Sequence, residues 1–531
     1  MSLPSLNRRK LLLGASAMAI FAGLGAPGRL LANPRFTSNP FTLGVASGDP
    51  WPDGFVLWTR LAPEPLAEHA GMPMLSVPVR WEVADDPQFR RIVQSGQALA
   101  RPELGHSVHV EVAGLQPQRP YWYRFHVGSE ATSAVGRVRT APSAGARVDR
   151  LRIGVAGCQH YEAGYYTAYA HLSQEPELDA IFHYGDYIYE GAGKAPRVPA
   201  GAAADHLARC HAGDEIYSLD DYRRRYAQYK SDPHLQAAHA AAAFLSSWDD
   251  HEVDNNWVAA MDQDGVPGEV FLLRRQAAMQ AWYENMPVRR AQFPRADGLQ
   301  MHRRVDFGDL LRVHVLDTRQ YRSRQPCDPG LLERGRPCRT PESNGAQEVL
   351  GQAQERWLSE GLRHLARWNL LAQQVMLMPF QYPDNRSAGP LNGDSWSGYP
   401  QARQRLIDTL AAHGQGNVVV ATGDVHKHHA GVLPSRPDDL LSPPVATEFV
   451  TTSISSNGDG DDIPAGWEGV LAANPHAPLL NNRRGYQVFE IGKDHWQTEV
   501  VGVDRVSVPG GKRLRIARLV TEHGRPGITP A

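Results

Sequence analysis

A chain of 531 residues is too long for one ordinary hydrophobic core, and its length implies about two to four domains. A formal net charge of -2 and a pI near 6.9 supply no basic field, so a nucleic-acid-coating role is excluded and the expected partner is a small molecule. The 22 histidines permit metal chemistry without requiring it.

The chain opens on Asn7-Arg8-Arg9-Lys10, followed by an apolar run over residues 11–21 and small residues as far as Ala32. That pattern predicts a twin-arginine export signal over 1–32, recognised by the twin-arginine machinery and delivering the protein to the periplasm or outside the cell. Gly and Ala dominate the run and Pro27 and Arg29 close it early, which argues against a stable membrane anchor.

Residues 33–140 read as an all-β unit. Runs at 55–60, 79–83 and 108–112 alternate with a period of two between turn residues. Gly114-Leu115-Gln116-Pro117 followed by Tyr121-Trp122-Tyr123 resembles the tyrosine corner of immunoglobulin-like and fibronectin type III-like sandwiches, in which a tyrosine bonds back to upstream backbone. Residues 141–150 read as a linker.

From 151 to 510 the pattern changes to α/β, with apolar strands at 151–156, 180–184, 310–316, 371–378 and 418–422 and helical periodicity such as that over 352–365. The stretch 191–214 reads as loop, the runs at 486–491 and 497–501 as strands, and 511–531 as a polar tail. Of the four cysteines, Cys327 and Cys338 bracket a short loop and are expected to form a disulfide in an oxidising space, whereas Cys158 and Cys210 are unpaired.

Coordinating side chains follow four of the apolar runs. They are Gly157-Cys158-Gln159, Gly185-Asp186-Tyr187-Ile188-Tyr189-Glu190, Trp248-Asp249-Asp250-His251-Glu252 with Asn255 beyond it, and Gly423-Asp424-Val425-His426-Lys427-His428-His429. In open α/β sheets ligands sit beyond the carboxyl ends of strands, so Asp186 stands where chemistry is expected. The Asp186 carboxylate and Tyr189 phenolate are hard oxygen donors suited to a trivalent metal such as ferric iron. Carboxylates and imidazoles crowded in one site repel or shift their pKa values unless a cation compensates them.

These motifs, together with Gly44-Val45-Ala46-Ser47-Gly48-Asp49-Pro50, Trp58-Thr59-Arg60 and Leu316-Asp317-Thr318-Arg319-Gln320-Tyr321-Arg322, resemble the PhoD-type alkaline phosphatase and phosphodiesterase family of metallophosphatases from Phe41 onward. The Gly-Asp-x-x-Tyr element is also similar to that of purple acid phosphatases. The resemblance implies a metallophosphatase-like β-sandwich flanked by helices and a polynuclear centre of Fe(3+) and Ca(2+). It gives Asp186 the bridging position, Cys158, Tyr189 and His426 the iron shell, and Asp250, Asn255 and Asp424 the calcium ligands, with the choice between Asp250 and Asn255 open.

The activity it implies is hydrolysis of phosphate mono- or diesters by a metal-activated water, for phosphate scavenging, by a monomeric enzyme. His251 is the candidate leaving-group acid and Arg319 a candidate phosphate clamp, against the blander reading of Arg319 as half of an ion pair with Asp317. Asp249 and Glu252 are expected to orient ligands or cap the turn, and His428 and His429 to be surface or supporting groups. A phospholipase D-like phosphodiesterase, and a non-catalytic surface-binding protein with a remnant metal site, are the competing readings.

Overall fold

The computed structural model describes residues 36–194, 208–325, 347–364, 366–382, 392–414 and 416–531. The expected export signal and the expected Cys327–Cys338 disulfide lie outside the described residues, as does part of the 191–214 loop.

Among the described residues, eight strands precede residue 140: β1 (Val45–Trp51), β2 (Gly54–Arg60), β3 (Val77–Ala84), β4 (Ile92–Ala100), β5 (Ser107–Val112), β6 (Pro120–Val127), β7 (Ala131–Thr132) and β8 (Gly136–Arg139). In β6 burial alternates residue by residue, the signature of a strand with one face on a core. Inward-facing Val79, Val83, Tyr123 and Phe125 of β3 and β6 pack against Val45, Phe55, Leu57 and Val110 of β1, β2 and β5, which makes the expected sandwich. The tyrosine corner is present, with the Gln116 amide donating to Tyr121 Oη at 3.0 Å.

The following strands are β9 (Arg150–Ala156), β10 (Ala180–His183), β11 (Ala243–Ser246), β12 (Arg303–Phe307), β13 (Leu311–Val315), β14 (Trp368–Ala372), β15 (Val418–Thr422), β16 (His428–Pro434), β17 (Pro444–Val450), β18 (Leu479–Asn481), β19 (Gly485–Gly492), β20 (His495–Val503), β21 (Arg513–Glu522) and β22 (Arg525–Pro530). They build two further sheets. One has the order β22-β21-β20-β19-β9-β10-β11-β1-β2-β5, and the other β12-β13-β14-β15-β17-β16-β18. Ile153, Val155, Phe182 and Leu245 of the first interleave with Val313, Leu370, Val419 and Phe449 of the second in a shared core.

Helices cover both outer faces, as parallel strands buried on two sides require. On the first sheet lie α1 (Thr167–Leu172), α2 (Leu219–Lys230), α3 (Pro233–Ala241) and α4 (Gly268–Asn285), and on the second α5 (Gly351–Leu362) and α6 (Pro400–His413). A short helix, α7 (Glu468–Ala473), precedes β18. No helix among the described residues is long and apolar enough to cross a membrane.

Three elements differ from their sequence expectation. The sandwich has no second sheet of its own: β1 pairs in parallel with β11, so β1, β2 and β5 complete the large catalytic sheet. The run at 371–378 leaves the sheet after Ala372, because Leu377 and Met378 donate their amides to the buried Glu448 carboxylate at 2.8 and 2.6 Å instead of to a neighbouring strand. The tail from 511 is a β-hairpin, and β21 pairs along β20 over its whole length. Leu514 and Ile516 and, past a bulge, Leu519 supply the apolar face that a strand needs, a pattern obscured by four arginines interspersed through residues 513–525.

Candidate metal centre

Strands β9, β10 and β11 run parallel, as do β13, β14, β15 and β17 of the facing sheet. Their carboxyl ends therefore open on one edge of the two-sheet core. Cys158 follows β9, Asp186 and Tyr189 follow β10, Asp249, Asp250 and His251 follow β11, Arg319 follows β13, and Asp424 and His426 follow β15. The ring of Tyr184 lies where those loops leave the strands. A Cβ on Gly157 would stand 2.4 Å from that ring and one on Gly423 2.1 Å, so both loops must begin on glycine for the sheets to close around it.

The loops turn sharply to aim their side chains. Cys158, Asp186, Asp424 and His426 adopt left-handed backbone, with φ of 49°, 54°, 67° and 54°. Non-glycine residues held there cost of order 1–3 kcal/mol each, and such strain gathers at functional sites. Gly185, at φ 134°, lets the Asp186 loop pass the Asp249 amide, which a Cβ would approach to 2.3 Å. Glu252 then locks two loops together by accepting the amides of Asp186, Tyr187 and Asp249 at 3.1, 2.6 and 2.8 Å. Its carboxyl is pushed up to about 8 by burial, against the pull of those amides.

Among the described residues, three sets of donor atoms each fall within 4.8 Å: Cys158, Asp186 and His426; Asp186, Asp250 and His251; and Asp249, Asp250 and Asp424. Asp186 is shared by the first two sets and Asp250 by the last two. Asp186 Oδ2 accepts from Tyr189 Oη at 2.9 Å and from Cys158 Sγ at 3.3 Å, and Tyr189 Oη lies 3.3 Å from His426 Nε2. Sulfur, phenol, imidazole and carboxylate thus converge on one point, while on its other side Asp186 meets the Asp250 carboxylate and the His251 imidazole.

Burial with neighbouring carboxylates drives Asp186 and Asp424 well above the usual carboxylate range. Asp249 is pushed up to about 7 by burial, partly countered by Arg319. Burial would raise Asp250 too, but Arg319 and His251 outweigh it and hold that carboxyl below the usual range. Burial raises the Cys158 thiol and the Tyr189 phenol and lowers His426. Asp249 Oδ2 and Asp250 Oδ1 are buried without a hydrogen bond among the described residues. So much anionic capacity with orphaned oxygens is the electrostatic complement of bound cations, and the donor set fits them. Cys158, Tyr189 and His426 suit a transition metal, and Asp250 and Asp424 an oxygen-seeking ion.

Around this core, His251 Nδ1 and Glu190 Oε2 are 2.6 Å apart, which leaves Nε2 as the ring's second polar atom. Burial works against the imidazolium, yet Glu190, Asp250 and Asp186 together hold His251 well above its ordinary value. The Asn255 Nδ2 donates to Gln263 Oε1 at 2.8 Å, and Asp250 joins two of the carboxylate, thiol and imidazole donor sets.

Arg319 is fully buried and does not pair with Asp317 through its guanidinium; Asp317 Oδ1 takes the main-chain amides of Arg319 and Gln320 instead. Arg319 Nε donates to Asp249 Oδ1 at 2.6 Å, and Nη1 and Nη2 grip Asp394 at 2.9 and 2.8 Å. Nη2 also faces Asp250 at 3.4 Å and Asp424 at 3.9 Å.

His428 and His429 are buried in the core, not on the surface, because β16 begins at His428 and carries both inside. Sequence reasoning assigned no role to Asp394, Ser456 or the Glu190 carboxylate. Ser456 Oγ lies 2.8 Å from Tyr189 Oη, and the two are 267 residues apart in the chain, so no local pattern marks the pair. Glu190 was the one within reach, adjoining Tyr189 in the same motif.

The sequence profile described as "PhoD-like phosphatase" matches residues 153–500, and the one described as "PhoD-like phosphatase, N-terminal domain" matches 27–142. The chain belongs to the PhoD-like phosphatase family. It is 42% identical over 531 residues to alkaline phosphatase D of Bacillus subtilis (strain 168), across 98% of this chain and 88% of that protein. A solved structure described as "Structure of PhoD" matches with a TM-score of 0.86 at 42% identity, covering 94% of this chain and 93% of the other. This member of the PhoD-like phosphatases is accordingly a metal-dependent phosphoric ester hydrolase acting on a phosphoester substrate.

Proposed function

We propose that this edge of the two sheets holds one Fe(3+) and Ca(2+), with Asp186 bridging the unlike ions. Cys158, Tyr189 and His426 complete the iron shell, and Asp250 and Asp424 bind calcium. Asn255 can serve as a further calcium ligand through Oδ1 while its Nδ2 keeps Gln263. The observation that carries this reading is the sharing of Asp186 between a set bearing the Cys158 sulfur and a set containing Asp250, which in turn joins Asp249 and Asp424 in an all-carboxylate set. When bound, the cations supply the positive charge that draws in phosphate oxygens and lowers the proton affinity of a water.

The chain's own residues supply the rest. His251, kept protonated by Glu190, donates to the departing alkoxide from Nε2. Arg319 meets the phosphate through Nη2, the nitrogen facing Asp250 and Asp424, while Asp249 and Asp394 fix its plane. Glu252 fixes the loops that carry Asp186 and Asp249. The protein acts as a monomer after export by the twin-arginine route to the periplasm or beyond, where it releases phosphate for uptake.

Metal analysis, visible absorption and an aryl phosphate assay on the same preparation test this centre. Iron and calcium should both be present, with a tyrosinate-to-ferric band that disappears in Tyr189→Phe. An active enzyme without iron, or a band that survives Tyr189→Phe, would overturn the assignment.

A further inference from the structure

A wall of aromatic rings adjoins the Asp424 side of the centre and takes no part in the chemistry above. Tyr382 and Trp467 meet nearly at right angles, 84° with centroids 5.9 Å apart, and Phe380 stands behind Tyr382 at 5.1 Å. Phe380 is buried, but Tyr382 and Trp467 keep part of their surface open to solvent. The corner is rigidly mounted. Gln381 donates its amide to Asn474 Oδ1 at 2.8 Å, Asn474 Nδ2 returns a bond to the Gln381 carbonyl at 2.8 Å, and His476 Nε2 lies 2.7 Å from the Pro379 carbonyl.

Lys427 connects this corner to the centre. It directly follows His426, and its Nζ lies 5.1 Å from the Trp467 ring centroid and 3.5 Å from the Val425 carbonyl. Among the described residues it makes no ion pair. An ammonium beside a phosphate site, unpaired and partly shielded from water, is complementary to an anionic oxygen of the ester. An aromatic corner next to it offers one face for stacking and one edge for lateral contact.

We propose that Tyr382, Trp467 and Lys427 form a subsite for a phosphodiester whose second arm carries a flat ring of nucleobase size. The ring stacks on Trp467 and Lys427 holds a phosphate oxygen. The proposal rests on the phosphoric ester hydrolysis described above and names its preferred substrate class.

The metal-replete enzyme and its Trp467→Ala and Trp467→Phe variants are compared on two diesters with the same leaving group, thymidine 5′-(p-nitrophenyl phosphate) and methyl p-nitrophenyl phosphate. Trp467→Ala should raise KM about tenfold more for the thymidine ester than for the methyl ester, the scale of one base stacked on an aromatic side chain. Trp467→Phe should restore most of that difference. Equal changes for both esters, or Phe no better than Ala at unaltered metal content, would overturn the subsite.

Inhibition of the unmodified enzyme gives a measurement independent of any variant's folding. Thymidine 5′-monophosphate should block methyl ester hydrolysis at about one tenth the concentration needed for methyl phosphate, and equal potency would refute the stacking. An enzyme that cleaves p-nitrophenyl phosphate but neither diester would also refute the subsite while leaving ester hydrolysis intact; one that cleaves none of the three would overturn the hydrolase reading itself.

Discussion

The tyrosine corner of the N-terminal sandwich and the loop edge of the catalytic sheets treat their polar groups in opposite ways. At the corner the bonds are mutual. Gln116 donates its amide to Tyr121 Oη at 3.0 Å and accepts from Thr140 Oγ1 at 2.7 Å, and Arg119 donates its amide to Thr140 Oγ1 at 3.1 Å. The nearby left-handed residue, Gln118 at φ 57°, sits in an exposed turn. At the loop edge four left-handed residues are themselves the donors Cys158, Asp186, Asp424 and His426, and buried carboxylate oxygens of Asp249 and Asp250 lack a hydrogen bond among the described residues. One region spends its polar groups on holding shape, and the other reserves them for a ligand.

The contrast is broken most severely at Asp186. Asp186→Asn keeps the volume but removes the charge shared by two donor sets, and should cost at least about 10³-fold in turnover, the scale on which a preorganised charge-stabilising group acts. The iron and calcium proposed for the centre should both fall in the same preparation. Retention of both metals would place the bridge elsewhere. Chelation of the unmodified enzyme should lower its melting temperature as well as its activity, because binding energy to the native state is stability; an unchanged melting temperature would mean the carboxylates are compensated within the protein.

His251→Ala tests a smaller step at the same edge. Loss of a leaving-group acid should depress turnover of an alkyl phosphate by about 10²-fold or more. An aryl phosphate, whose leaving group departs without a proton, should lose far less. Equal losses on both esters would make His251 a structural partner of Glu190.

These two regions were also unequally legible. The loop edge announced itself because each coordinating residue directly follows an apolar strand, and strand ends can be read locally. Glu252 carried the same signal, since it lies in the Asp250-His251 motif. What stayed hidden was contributed across the fold: Asp394 reaches Arg319 from 75 residues away, and an i, i+2 carboxylate and guanidinium kept an Asp317 pair open as one reading of Arg319 although Asp317 Oδ1 takes the Arg319 main-chain amide. The sandwich was legible in its period-two strands and its corner. Its continuity with the catalytic sheet was not, because β1 and β11 pair in parallel through Gly48 and Phe244, nearly two hundred residues apart, and strand pairing leaves no local mark. The C-terminal hairpin was hidden by composition, with arginines masking the alternation.

Between the two catalytic sheets, at the foot of the donor loops, stands the Tyr184 ring, packed against both Gly157 and Gly423. Gly423→Ala overfills that contact and should destabilise the protein by about 1–3 kcal/mol, the usual cost of an extra methyl in a close-packed core. Because Asp424 and His426 follow at once, metal affinity should fall with stability. A destabilised variant with full metal affinity would show that the sheet junction and the donor loops relax independently.

The smallest effect belongs to the corner, and it is the one that separates shape from chemistry. Tyr121→Phe leaves the ring in place, buried against Phe55 with centroids 6.1 Å apart, and removes only the oxygen that takes the Gln116 amide. One hydrogen bond between neutral groups contributes about 1 kcal/mol net. Since β1, β2 and β5 belong to the same sheet as β9, β10 and β11, the melting temperature of the whole unit should fall by a few degrees as a single transition. Activity per bound metal should stay within about twofold, because the donor loops leave other strands of that sheet and, among the described residues, none bonds to residues 114–121. A separate early transition would make the sandwich an independently melting unit, and a large loss of turnover would mean the corner's geometry is transmitted along the shared sheet to Asp250.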